Sequence, residues 1–451
     1  MELRERLRLA LQVGPEPPSA RAYASAGDQA ASLAAPYTRR ARELPPELGL
    51  RRIETSRGAV YLSEEWWPLD HRHGRLSLGD ALALKAPALR RLALGLSADE
   101  FAGAAFIDVE TTGLAGGTGT YVFLVGLGTF GDGSFRLRQF FLAGLSGETA
   151  MLAAVAEALA VCRALVSFNG RRFDLPLLET RLTLNRLPAP PPGLPHLDLL
   201  YPARRLYRRR LPSCRLAQLE ESLLGAEREG DIPGWAIPAL YFDYLRRNEA
   251  EPLRPVFRHN ALDVLSLVTL VAHLGHLAGG RSPADPDDCL AVARWDESEG
   301  RLADAARLYA AALEGGVDGE NRALALQRLA RLCRRLGRWE DAARLWRQGA
   351  GDGGTPDGRL EALIELAKLE EHRRHDYAAA EALTRRALSL LELTSLRGAG
   401  PTMPALQREA LEHRLWRLRR RQGCQAGAPR TSVAGPQPNS PAGTRPGRSA
   451  T

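Results

Sequence analysis

The stretch Phe106-Ile107-Asp108-Val109-Glu110-Thr111-Thr112-Gly113 puts two carboxylates two residues apart at the end of an apolar run. On a strand, residues two apart point to the same face, so Asp108 and Glu110 project together. Adjacent carboxylates repel and lose hydration, and they tolerate each other best around a divalent cation. A pair of solvated acids at a strand end is the alternative. Two further segments bear on the choice. Leu165-Val166-Ser167-Phe168-Asn169-Gly170-Arg171-Arg172-Phe173-Asp174 reads as strand, turn and helix start, with Asp174 in the first helical turn. Val256-Phe257-Arg258-His259-Asn260-Ala261-Leu262-Asp263 reads as an amphipathic helix whose His259 and Asp263, four apart, share a face. Four carboxylates and a histidine from three separate segments form a hard-oxygen ligand set suited to Mg²⁺ or Mn²⁺. Two such ions about 3.5–4 Å apart can activate a water and stabilise the leaving oxygen of a phosphodiester. An imidazole, with an unperturbed pKa of about 6.5, can take the water's proton, which is the role open to His259. A helix histidine without chemistry is the alternative.

Around these residues lie groups able to hold a polyanion. Arg204, Arg205, Arg208, Arg209, Arg210 and Arg215 fall in one acid-free stretch interleaved with Tyr201 and Tyr207. Guanidinium groups bind phosphates bidentately and tyrosines stack on bases; a solvated basic face is the other reading. Asn169, Arg171 and Arg172 precede Asp174 and are placed to hold a strand's backbone; Thr111 directly follows Glu110. His71 and His73 flank Arg72 after Trp66-Trp67, but no cysteine or third histidine completes a zinc set, so packing is the expectation there. Gly113–Tyr121 has four glycines without the lysine of a Walker loop and reads as a tight connection.

The elements that must position these groups are legible in outline. Gly58–Leu62 reads as a strand, as do Ala104–Val109, Tyr121–Phe130, Phe135–Phe141 and Ala164–Phe168, with Gly131-Asp132-Gly133 a hairpin signal. Helices are expected over 148–162, 174–186, 197–207, 215–224, 239–247 and 255–275. Successive strands followed by strands alternating with helices predict an α/β mixed sheet flanked by helices over 51–278. Beyond a Gly/Pro-rich linker at 279–288, Gly300–Tyr309 recurs as Gly337–Trp346 at an offset of 37, and as His375–Thr384 after 38 more. Small residues at fixed places with aromatics between them predict an all-α, tetratricopeptide-like repeat domain over 289–395. Residues 1–50 are expected to be a flexible N-terminal region, 396–422 a basic helical extension and 423–451 a disordered tail.

Composition narrows the class. The chain has 451 residues and a net charge of +8, of which Pro401–Thr451 carries nine Arg against two Glu. The basic residues are arginines except Lys85 and Lys368, a bias that weakens charge alone as a sign of phosphate binding. Five scattered cysteines without a C-x-x-C pair disfavour a disulfide framework and fit a cytoplasmic, reducing setting. No run of 18 apolar residues occurs and the start, Met1-Glu2-Leu3-Arg4, lacks an apolar core, so neither a membrane partner nor a signal peptide is expected.

The order Asp-x-Glu (108, 110), Asn-x4-Asp (169, 174) and His-x3-Asp (259, 263) resembles the DEDD superfamily of 3′–5′ exonucleases, with their ribonuclease H-like fold. Residues 51–278 are closer still to the YprB-type group of predicted nucleases, through His196-Leu197-Asp198-Leu199-Leu200, Leu211–Leu219 and Asp231-Ile232-Pro233-Gly234, and that group often carries C-terminal tetratricopeptide repeats. The resemblance implies two divalent ions, Mg²⁺ or Mn²⁺, held by Asp108, Glu110, Asp174 and Asp263. His259 would be the base, and DNA or RNA the substrate. One departure stands out: a histidine occupies the x3 spacing at which the tyrosine class carries its tyrosine. Asp198 is a spare carboxylate. The competing expectation is an adaptor, a nuclease-like domain kept for binding nucleic acid while the repeats recruit a protein partner.

Overall fold

The computed structural model describes residues 48–93, 96–113, 119–191, 193–351, 355–396 and 404–426. The expectations for the N-terminal region, the 423–451 tail and the Gly116-Gly117-Thr118 connection fall largely outside them. Two compact units are present, Met1–Gly315 and Gly316–Thr451.

Among the described residues the first unit has nine strands: β1 (Arg51–Thr55), β2 (Gly58–Pro68), β3 (Arg72–His73), β4 (Leu76–Ser77), β5 (Ala104–Thr111), β6 (Val122–Gly131), β7 (Ser134–Phe141), β8 (Ala164–Ser167) and β9 (His196–Asp198). Seven form one sheet in the order β1-β2-β7-β6-β5-β8-β9, while β3 and β4 pair separately. Pairing is antiparallel except at β5–β8 and β8–β9, so the sheet is mixed, as expected. The β6–β7 turn is closed by Asp132 (φ 48°) and Gly133 (φ 72°), both in the left-handed region that a two-residue hairpin of this kind requires. Two differences from the sequence reading concern the sheet edges. β2 runs through Trp66-Trp67 and is preceded by β1, and His196–Asp198 is a strand before a helix rather than the start of one. Three residues are too few to show alternation, so only pairing with β8 marks β9 as a strand.

The helices of this unit are α1 (Ala86–Leu92), α2 (Glu148–Ala160), α3 (Asp174–Leu184), α4 (Leu200–Tyr207), α5 (Ile237–Arg247), α6 (Arg254–Ala278), α7 (Pro286–Ser298) and α8 (Leu302–Glu314), with single turns between some of them. Ala105, Ile107 and Val109 of β5 join a buried cluster with Met151, Leu152 and Val155 of α2 and Tyr241 and Tyr244 of α5. Phe106, Asp108 and Glu110 face the other way, toward α6. That helix is apolar and long enough to cross a membrane by length and composition, yet most of it is buried inside the unit as a core helix. It approaches the sheet closely because β6 offers glycine there: a Cβ on Gly126 would lie 2.3 Å from Asn260 Oδ1, and one on Gly128 2.8 Å from a Val264 methyl.

The segment 279–288 joins α6 to α7, and the helix pair α7–α8 belongs to the same compact unit as the sheet. Trp295 of α7 is buried under the Arg91 guanidinium, 4.2 Å from its ring, and Arg91 also pairs with Asp296 at 2.8 Å. A buried aromatic with a cation over its face holds a helix in place regardless of a Pro/Gly-rich connection before it. The second unit contains α9 (Gly319–Arg335), α10 (Trp339–Gly349), α11 (Pro356–Leu369), α12 (Tyr377–Leu396) and α13 (Pro404–Ala426). Ala305, Ala342 and Ala380, equivalent in the three sequence copies, are all fully buried, as are Tyr309 and Thr384, with Trp346 nearly so.

Candidate active site

The three segments do converge. Asp108 and Glu110 end β5, where a register shift against β6 falls between Glu110 and Thr111. Such a bulge re-aims side chains at a strand end. Thr111 Oγ1 donates to the Gly113 carbonyl at 3.0 Å and so fastens the turn after the bulge. Burial, reinforced by the charges of Asp263 and Asp174, pushes the Asp108 carboxyl well above the usual carboxylate range. Glu110 is raised likewise, by burial first and then by Asp108, Asp263 and Asp174. Asp174, in the first turn of α3, is pushed up to about 7 by burial and by the charges of Asp198 and Asp263. The charges of these four carboxylates reach one another, so the three segments meet there. Asn260, one turn from Asp263 on α6, donates through Nδ2 to Asp108 Oδ2 at 2.8 Å and accepts through Oδ1 from Gln139 Nε2 at 2.9 Å.

His259 lies on the same face of α6 as Asp263, its Nε2 at 3.7 Å from Asp263 Oδ2. Its Nδ1 is within 3.0 and 2.9 Å of the two oxygens of Asp231. Burial works to lower the His259 pKa, but the hydrogen bond to Asp231 and the charges of Asp263 and Asp231 outweigh it, and the imidazole holds its proton more tightly than usual. Arg228 reaches the same place. It pairs with Asp263, with Asp231 at 3.0 Å and, through Nε and Nη2, with the buried Glu220. Arg228, Asp231, Glu220, Gln139 and Asn260 were not assigned roles from sequence. Only Asp231, within the Asp231–Gly234 motif, carried any signal.

Other expected site residues have different work. Asp198 accepts hydrogen bonds from the backbone N–H groups of Asn169 (2.7 Å), Arg171 (3.2 Å) and Leu200 (3.1 Å), and so shapes the turn that delivers Asp174. Asn169 sits at φ 63° in that turn, and Arg171 donates to the His196 carbonyl. A Cβ at Gly170 would meet Ser167 Oγ at 2.4 Å, so this turn closes on β8 only with glycine there. The arginine cluster divides. Arg204, Arg208 and Arg209 are exposed. Arg205 bonds Ser298 at 2.6 Å and lies over Trp295, and Arg210 pairs with Asp285 and Asp288, so both are engaged with α7 and its N-terminal approach. Tyr207 is fully buried and hydrogen-bonded to His273 at 2.7 Å, which removes it from the stacking role; Tyr201 is exposed. His73 is buried, with Nε2 at 2.7 Å from Ser266 Oγ, and His71 packs on Trp67.

Among the described residues no three His, Cys, Asp or Glu side chains already surround one ion-sized point. The donor set nonetheless fits a hard divalent cation. It is oxygen-only, and three of its carboxyls are held away from water beside like charges, with raised pKa values that a nearby positive charge would reverse.

A family profile described as RNase_H superfamily matches residues 105–275, which contain all four carboxylates and His259. The uncharacterized protein YprB of Bacillus subtilis (strain 168) is 30% identical over 339 residues, spanning 73% of this chain and 80% of YprB. With the mixed sheet and its acid-bearing central strand, these matches make the chain a member of the ribonuclease H superfamily, in the family of YprB.

Proposed function

We propose that this protein is a divalent-metal-dependent nuclease that hydrolyses phosphodiester bonds of DNA or RNA, as a 3′–5′ exonuclease. The observation that carries the reading is the half-buried cluster of Asp108, Glu110, Asp174 and Asp263, in which the charge of Asp263 helps to raise the pKa of the other three. A fold gains nothing in stability by gathering such groups away from water, and a site that must seat Mg²⁺ or Mn²⁺ needs them. This weighs against the adaptor alternative. When bound, two such ions would supply an activated water and charge stabilisation at the leaving oxygen.

The chain's own residues then have distinct tasks. The four carboxylates would hold the ions. Asn260, itself braced by Gln139, fixes which way Asp108 presents its oxygens. In its neutral form His259 receives the proton of the attacking water at Nε2, with Asp231 stabilising the resulting imidazolium through Nδ1. Exposed Arg204, Arg208 and Arg209 offer phosphate contacts on α4 and the turn after it. The second unit's helix pairs are the part suited to a protein partner. The test is degradation of 3′- and 5′-labelled single- and double-stranded DNA and RNA with Mg²⁺ or Mn²⁺, with Asp108→Ala and Asp263→Ala as controls. Stepwise loss from the 3′ end, absent with chelator and in both variants, supports the reading. Equal hydrolysis by pure Asp108→Ala protein overturns it.

A further inference from the structure

We propose that the loop 225–233 supplies this site with a positioning carboxylate, Asp231, which holds the His259 ring so that Nε2 is the nitrogen turned to the acidic cleft, with Arg228 as the clamp that keeps Asp231 and Asp263 in register. The inference rests on the hydrolytic reading for its consequences in rate, but its geometry is independent of it.

An ionised carboxylate only accepts hydrogen bonds, so His259 Nδ1, at 2.9 and 3.0 Å from the Asp231 oxygens, must carry the hydrogen between them. In the neutral ring that leaves Nε2 as the nitrogen with a free lone pair, and Nε2 is the one 3.7 Å from Asp263. Without Asp231 the ring would be free to turn or to carry its hydrogen on Nε2, where it cannot accept a proton.

Arg228 is built as a fixed part. Its guanidinium is held through Nε and Nη2 by Glu220, which is 1% exposed and lies in the π-turn Glu220–Leu224. Glu220 therefore balances the positive charge; Nη1 reaches Asp231 Oδ2 at 3.0 Å, lying 3.5 Å from His259 Nδ1, and Nη2 also pairs with Asp263. The clamp is anchored from behind. Arg75 N–H donates to the Leu224 carbonyl at 2.7 Å, and Gly74 allows that approach, since a Cβ there would lie 2.2 Å from the same oxygen. The Ser266 hydroxyl bonds Glu220, and His73 bonds Ser266. Gly225 (φ 61°) and Gly230 (φ 66°) bracket the loop with the two left-handed turns that fold Arg228 inward. The β3–β4 hairpin, far from the carboxylates in sequence, thus serves to seat this loop.

The test compares steady-state kinetics of the full chain as wild type, Asp231→Ala, Asp231→Asn, His259→Ala and the Asp231→Ala/His259→Ala double variant, on whichever labelled substrate the wild type degrades. Asp231→Ala is expected to lower kcat by about 10–100-fold with KM little changed, the range for losing a group that orients a reacting one. Asp231→Asn, whose amide oxygen still accepts from Nδ1, should recover part of that loss. The double variant should be no slower than His259→Ala, because Asp231 acts only through the ring. Additive losses, or a change confined to KM, would overturn the proposal. If the wild type degrades no nucleic acid, the nuclease reading fails instead, and the positioning is read by long-range ¹H–¹⁵N NMR of the metal-free protein. His259 in its neutral form should carry its hydrogen on Nδ1 in the wild type and shift toward Nε2 in Asp231→Ala; an unchanged tautomer overturns the assignment.

Discussion

Replacing Asp174 with Asn should stabilise the metal-free protein while removing its activity. In the unfolded chain this carboxyl ionises with its ordinary pKa of 3.8, and in the folded protein burial and its acidic neighbours raise the value to about 7. The folded state therefore binds a proton that the unfolded state has lost, and folding is penalised as pH rises. The penalty is absent below 3.8, grows through the interval and is complete above about 7. At about 1.4 kcal/mol per pH unit the ceiling is about 4 kcal/mol. Two effects reduce it. Asp174 is only partly buried by its surface, so water screens the charge and removes roughly half. Its place in the first turn of α3 also favours a negative charge by about 0.5 kcal/mol. The Asn variant should then gain about 1–2 kcal/mol at pH 8 in EDTA, or roughly 2–8 °C in Tm, and nothing near pH 4. With saturating Mn²⁺ the order should reverse, because ligand binding to the folded state stabilises by about 2.7 kcal/mol at a hundred times Kd and the variant has lost a ligand. Thermal unfolding of both proteins across pH 4–8, with EDTA or Mn²⁺, measures this. An Asn variant no more stable than the wild type at pH 8 in EDTA would refute the claim that the cluster is a strained, charge-starved site.

Gly126→Ala should disturb the site without touching a carboxylate: the new methyl would press on Oδ1 of Asn260, whose Nδ2 braces Asp108, and the expected result is a loss of about 1–3 kcal/mol in unfolding experiments together with lower kcat. Arg208→Gln with Arg209→Gln should lower the slope of log affinity against log salt by roughly 0.7–0.9 for each phosphate that is no longer neutralised, measured by fluorescence anisotropy on a labelled single strand with Ca²⁺ in place of Mg²⁺, and an unchanged slope would make them solvated surface. A chain ending at Gly315 should remain folded by circular dichroism. One ending at Arg281, which lacks Trp295 and the partners of Arg91, Arg205 and Arg210, should melt lower by about 5 °C or more.

Strand and helix periodicities put Asp108 with Glu110, and His259 with Asp263, on shared faces whatever the rest of the fold does; that these and Asp174 make one site was what the resemblance to the DEDD exonucleases implied. The spacing of the repeats likewise marked Ala305, Ala342 and Ala380, which are all buried. What only the tertiary structure decided is which polar groups meet across distant segments. Asp231 could not be given to His259 by sequence, since the loop that carries it is placed by Arg75, Gly74 and Ser266. Arg205 and Arg210 looked identical to their exposed neighbours until α7 lay against them, and Tyr207 looked available until it was buried on His273. Local periodicity reports the face a residue occupies, and the partner waiting on that face comes from chain far away, set by packing that no local pattern encodes.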